Sequence, residues 1–235
     1  MRIAFLLTLA GLLAAQDAFA GRPLLTDDAA VADRGTCQVE SWSERKGPAR
    51  AWVTAPACGV AAGVELGADY TVPRPRDPVR AGAGLALKWA PEGWKFESPL
   101  GEINWGLKLS GAWQQPAGAP WQGSGSALLG LISWKAGESL TVHTNVGLAR
   151  DRITAQRASL FNAALVWTPM ERLVLVAETQ ANSKHDVFGG TVVGLGARWW
   201  LIKDSLGLDI TSSRESVSGA KAVWTLGLGW SGIGL

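Results

Sequence analysis

Acid–base or nucleophilic chemistry in this chain would fall to very few residues. Its histidines are His143 and His185, and its cysteines are Cys37 and Cys58. A hydrolase needs a serine beside a histidine and a third group to orient it. His185 lies in a polar connection. His143 lies in an alternating apolar–polar stretch, and no spacing sets a serine or an orienting group beside it. A membrane hydrolase is therefore the weakest reading, and no catalytic residue is assigned. Metal ligation by the cysteines would need further Cys or His nearby, which the sequence lacks. The Gly-x-Gly pairs are strand glycines rather than strand-to-helix turns, so no nucleotide site is read from them. No metal or cofactor is expected. What remains are dispersed charges: Glu40, Glu65, Asp69, Glu178 and Asp209 among acids, Lys88, Lys108 and Arg198 among bases. Their meaning depends on the face each one occupies.

The clearest element is the last. Trp224, Leu226, Leu228 and Trp230 alternate with Val223, Thr225, Gly227 and Gly229, and a period of two belongs to a β-strand. In a soluble sandwich the large residues would turn inward. In a transmembrane barrel they turn outward to lipid, with aromatic residues marking the two interfaces. The same alternation sets Ile103, Trp105, Leu107 and Leu109 against Asn104, Gly106, Lys108 and Ser110. It also sets Val193, Leu195, Ala197 and Trp199 against Gly194, Gly196 and Arg198. Turn signals place strands over 37–45, 50–57, 63–72, 80–90, 102–114, 124–135, 139–149, 159–168, 172–181, 191–202, 205–212 and 221–231. These are about twelve strands near the length that a tilted membrane-spanning strand needs.

The connections decide between the two architectures. From Trp134 onward they alternate, with 135–138, 169–171 and 203–204 short and 150–158, 182–190 and 213–220 long. Outer-membrane barrels have short periplasmic turns and longer outer loops. With the first strand rising from the periplasm, all three short turns fall on the periplasmic side; the long 91–101 connection is the exception. Trp89, Trp134, Trp167, Trp199 and Trp230 then lie at periplasmic strand ends, and Trp52, Trp113 and Trp224 toward the outer ends. The fold class read from this is all-β, a transmembrane antiparallel up-and-down β-barrel of about twelve strands, over residues 37–235. Cys37 and Cys58 fall at one end of the first hairpin, so an exported protein would join them in a disulfide worth roughly 3 kcal/mol in the chain-entropy picture.

The start of the chain supplies the address. Arg2, an apolar run from Ile3 to Ala15, and Ala18-Phe19-Ala20 before Gly21 read as a signal peptide over residues 1–20, cleaved near Ala20. Residues 21–36 are polar and aperiodic, and read as an N-terminal periplasmic segment. The expected location is the outer membrane of a Gram-negative bacterium. The 29 glycines and 13 tryptophans suit a barrel with dispersed apolar residues, and a net charge of +2 is too small to suggest nucleic acid.

By parity Glu40, Glu65, Asp69, Lys88, Lys108, His143, Glu178, Arg198 and Asp209 face the lumen, because Lys or Arg at the lipid midplane costs about 2–4 kcal/mol. Glu178 and Arg198, on adjacent strands, are expected to pair. Arg150, Arg152 and Arg157 form a basic outer rim that could bind phosphate-bearing glycolipid of the outer leaflet. Three functions follow in order: a small channel or transporter-like barrel for small solutes, hydrophobic ones among them; a non-conducting structural barrel that binds a partner or outer-leaflet glycolipid; and an outer-membrane hydrolase. The partners expected are membrane lipid, glycolipid and small solutes.

Arg22-Pro23-Leu24, Thr26-Asp27-Asp28-Ala29, Gly35 and Glu40 resemble the opening of a proteobacterial family of outer-membrane proteins catalogued as transporters of the "MetA-pathway of phenol degradation" type. The resemblance covers about twenty residues and implies an outer-membrane barrel with no assigned chemistry. Such barrels usually end on an aromatic residue. This chain ends Ser231-Gly232-Ile233-Gly234-Leu235, and Trp230 is the nearest aromatic residue.

Overall fold

Wherever large apolar residues alternate with small or polar ones, the chain is extended and paired with its neighbours in sequence. In the computed structural model, which describes residues 24–76 and 78–234, these strands are β1 (Thr36–Lys46), β2 (Ala49–Ala61), β3 (Val64–Arg74), β4 (Val79–Trp89), β5 (Phe96–Ser98), β6 (Gly101–Pro116) and β7 (Gln122–Lys135). They continue as β8 (Leu140–Asp151), β9 (Arg157–Met170), β10 (Leu173–Asn182), β11 (Val192–Ile202), β12 (Leu206–Glu215) and β13 (Val223–Gly234). Apart from β4 and β5, successive strands pair antiparallel; β1 pairs with β13, and the β4–β6 pairing closes the ring. The result is a closed barrel of twelve strands. The extra strand, β5, is a three-residue fold-back on the start of β6. It occupies the long 91–101 connection, where Lys95 meets Glu102 at 2.8 Å. That hydrogen bond raises the Lys95 ammonium above its ordinary value. The signal peptide expected over 1–20 lies outside the described residues.

The proximal mouth, where β1 begins and β13 ends, has the connections 62–63, 136–139, 171–172 and 203–205 beside the β5 fold-back. The distal mouth has 75–78, 117–121, 152–156, 183–191 and 216–222, and one two-residue turn at 47–48. Loop length is thus unequal between the mouths, as the sequence implies.

The barrel exterior is apolar. Leu195 is 68 % exposed and Leu148 61 %, while Gly194 and Arg198 on the opposite face of β11 are buried. Soluble proteins do not leave such a continuous apolar surface in water, whereas a bilayer wets it. Trp89, Trp134, Trp167, Trp199 and Trp230 ring the proximal edge, and Trp52, Trp113, Trp121 and Trp224 the distal edge, all with exposed side chains. Cys37 sits directly opposite Cys58 in the β1–β2 register and is joined to it by a disulfide.

One expectation is overturned. Residues 24–33 do not hang outside the barrel as a periplasmic segment; they thread the lumen. The reason is chemical: the segment has no apolar face to turn to lipid, and its N–H groups and aspartates find charged and polar partners on the inner wall. It leaves the wall beside the cystine, where Arg34 bridges to Gly59 and the Gly35 N–H donates to the Gly59 carbonyl at 2.9 Å. A Cβ at Gly59 would collide with the Ala32 and Asp33 carbonyls, so this close approach requires glycine.

Candidate functional site in the barrel lumen

The inner wall of the proximal half holds the N-terminal segment at every turn. Glu178 on β10 accepts from the Leu25 N–H at 2.8 Å, the Thr26 N–H at 3.0 Å and the Thr26 hydroxyl at 3.1 Å. Asn145 on β8 accepts from the Asp27 N–H at 2.9 Å and donates to the Asp27 carbonyl at 2.8 Å. Ser133 Oγ on β7 accepts from the Ala29 N–H at 2.8 Å, and Glu65 on β3 from the Ala32 N–H at 2.9 Å. The aspartates complete the attachment: Asp27 meets Lys108 Nζ at 2.7 Å, and Asp28 meets Lys88 Nζ at 3.0 Å. Lys88 also has Asp27 at 3.9 Å and Glu65 at 4.0 Å. Charge-assisted hydrogen bonds of this kind are roughly twice as strong as neutral ones. Apolar contact adds to them, since Leu24 packs on Val166, Val174, Val176 and Trp200, and Ala29 clusters with Leu129 and Leu131.

Behind this segment the wall is itself cross-linked. Arg198 on β11 is 1 % exposed and donates to both carboxylate oxygens of Asp209 on β12, at 2.6 and 2.9 Å. The same Nη2 that meets Asp209 Oδ2 also reaches Glu40 at 3.5 Å, and the guanidinium lies 4.9 Å from the Trp200 ring centre. Gly207 leaves room for this side chain, for a Cβ there would stand 2.9 Å from Arg198 Cδ.

Of the residues read as lumen-facing, Glu40, Glu65, Lys88, His143, Arg198 and Asp209 are buried inside the barrel, and Lys108 and Glu178 are half-buried against the N-terminal segment. Asp69 is exposed within the wider distal half. Two sequence expectations are corrected. The ladder sets Glu178 opposite Gly194 and Arg198 opposite Asp209, instead of setting Glu178 against Arg198. A serine does stand beside His143: Ser133 is its partner across β7–β8, with Oγ 2.8 Å from Nδ1. The contact does not form a hydrolytic centre as it stands, because Ser133 Oγ already holds the Ala29 N–H and the N-terminal segment occupies the space before it. Sequence reading also missed Thr26, Asp27, Asp28 and Asn145. The Asp27-Asp28 pair beside two inward lysines was the available signal. Among the described residues no His/Cys/Asp/Glu group is placed to hold a metal ion.

The distal half is open. A cavity of about 400 Å³ is bounded by Gly84 and Ala86 on β4, Lys108, Ser110 and Ala112 on β6, Ala127 on β7 and Ala149 on β8. Asp69 and Asp151 add carboxylates, and Phe188, from the short helix α1 (His185–Phe188), reaches it from the 183–191 connection. Arg150 and Arg157 face each other across β8–β9 at the exposed distal rim; Arg152, also exposed, packs its stem over Gly123. The bay carries both charge signs and ends on the bonded N-terminal segment, whose Asp27 meets Lys108 at its floor.

A family model described as Uncharacterised conserved protein UCP029691 matches residues 8–230. No curated protein matches the sequence. Among solved structures the chain resembles the KdgM porin at 9 % identity, with TM-score 0.62 over 82 % of this chain and 98 % of that one. It resembles the NanC porin at 8 % identity, TM-score 0.61, over 83 % and 98 %. Outer membrane phospholipase A from Escherichia coli follows at 11 % identity, TM-score 0.52, over 83 % and 92 %. At such identities the likeness is one of fold.

Proposed function

The chain belongs to that UCP029691 family, and we propose that it is an outer-membrane channel for small solutes whose lumen is stoppered by its own residues 24–33. One observation carries the reading: a bay open at the distal mouth ends on a segment held by two lysines, two carboxylates and two neutral side chains of the wall. The unequal mouths orient it with the stopper toward the periplasm. The small-residue wall, with Asp69, Asp151 and Lys108, favours small polar or zwitterionic solutes over hydrophobic ones. The family of phenol-degradation transporters that the opening segment resembles, and the porins that share the fold, support a transport role. The Ser133–His143 contact keeps a hydrolase as the lesser reading, since the stopper would have to leave before any substrate could approach.

The test is conductance in planar bilayers. A chain lacking residues 24–33 is expected to pass current at least an order of magnitude above the intact protein, with the barrel still folded by its heat-shifted gel mobility. Equal, negligible currents from the two folded proteins would overturn the channel and leave the non-conducting barrel. Ester hydrolysis by the shortened chain that disappears with Ser133→Ala would replace it with the hydrolase.

A further inference from the structure

Arg45, Arg50 and Arg74 stand in one row. Arg45 on β1 is directly opposite Arg50 on β2, and Arg50 is directly opposite Arg74 on β3. The row continues to Trp224 on β13, which is opposite Arg45 and 54 % exposed on the barrel exterior. Residues directly opposite in a ladder share a face, so all three arginines point outward at the distal edge, and all three are exposed. One pleat toward the bilayer centre lies Trp52, outward and exposed. The arginines are thus level with the aromatic girdle or just beyond it, where lipid headgroups begin.

Like charges directly opposite on neighbouring strands oppose pairing, and here three are consecutive. Among the described residues none of them forms an ion pair. Arg45 Nε donates to the Gly47 carbonyl and Arg74 Nη1 to the Pro73 carbonyl, each at 3.2 Å. Lys46, next in sequence, does have a carboxylate, Glu215 at 3.6 Å. Three arginines on adjacent strands, whose backbones lie about 4.8 Å apart, facing headgroups on one side call for an anion with several oxygens. Arginine binds phosphate through two parallel N–H donors, and lysine does not.

We propose that Arg45, Arg50 and Arg74 form a binding site for the phosphate groups of a phosphorylated glycolipid in the outer leaflet, with Trp52 and Trp224 against its sugar and upper acyl region. The site rests on the membrane reading above and deepens it. It differs from the expected rim at Arg150, Arg152 and Arg157, where only Arg150 and Arg157 make an opposed pair.

The full-length protein is inserted into phosphatidylcholine vesicles carrying a bisphosphorylated disaccharide glycolipid, its dephosphorylated form, or neither, and bound glycolipid is counted by mass spectrometry after gentle extraction. The intact protein is expected to retain the phosphorylated lipid at least tenfold better than the dephosphorylated one. The triple variant R45E/R50E/R74E is expected to lose that preference while keeping folded-barrel gel mobility. R45K/R50K/R74K, with charge but no forked donors, is expected to fall between them, and R150E/R157E to match the intact protein. Equal retention by the intact protein and a folded triple variant overturns the site. Indifference to the lipid's phosphate also overturns it, as does loss confined to R150E/R157E. Failure of the intact protein to insert into any vesicle would instead sink the membrane reading. If the triple variant fails to fold, the lysine variant and single Arg50→Gln take its place, and unchanged retention by both overturns the site.

Discussion

The proximal half of the lumen presents Trp200, Arg198, Lys88, Glu65, Leu131 and His143 to the barrel axis, and the distal half presents Gly84, Ala86, Ser110, Ala112, Ala127 and Ala149. Both halves come from the same strands with the same period of two. Large inward side chains and the N-terminal segment together close the first half, and small ones leave the second open. Polarity does not separate them, because each half contains both charge signs. The difference lies in side-chain volume and in where the N-terminal segment runs. A barrel of about twelve strands is wide enough to be either filled or open, and this one is divided along its axis.

That contrast can be broken at several points. The largest effect is expected at Arg198. Arg198→Ala leaves Asp209, itself 1 % exposed, without its bidentate partner, which should cost about 3–5 kcal/mol. Denaturant unfolding from vesicles measures it, and a loss below about 1 kcal/mol would mean that the proximal wall is not a packed core. Next comes the stopper. Asp28→Asn removes the charge that meets Lys88 at 3.0 Å, worth about 2 kcal/mol, so the released population should rise roughly thirtyfold. Protease cleavage within residues 24–33 reads this directly, and unchanged protection would show that the aspartate does not hold the segment. Glu178→Gln keeps an acceptor for the Leu25 and Thr26 N–H groups but lowers its strength, so release should rise only about fivefold, near 1 kcal/mol. The smallest effect belongs to the distal bay. Asp69→Asn should leave stability within about 0.5 kcal/mol, yet lower the cation preference of the segment-deleted channel roughly twofold. Reversal-potential measurements check it, and a stability loss as large as that of Asp28→Asn would erase the distinction between the halves.

The barrel was legible because strand period survives any register. Parity alone placed Glu40, Lys88, Arg198 and Asp209 inside, with no knowledge of their partners. Register was not legible. Ser133 faces His143 because Lys135 pairs with Thr141 around the 136–139 turn; a slip of one residue would have set it opposite Val142. The same uncertainty made Glu178 and Arg198 look like partners. The stopper was illegible for another reason. Residues 24–33 have no period to read, and their attachment uses main-chain N–H groups, which every sequence carries alike. Only the Asp27-Asp28 pair was visible, and its lysines are 60 and 81 residues away.

The cystine between Cys37 and Cys58 lies next to the Arg34–Gly59 bridge where the segment departs from the barrel wall. It therefore acts as the fixed end of a leash. Residues 24–34, fully drawn out, extend about 35 Å, so a freed segment stays near the rim at an effective concentration in the millimolar range. Re-closure should accordingly follow first-order kinetics, at a rate indifferent to how many copies share the membrane.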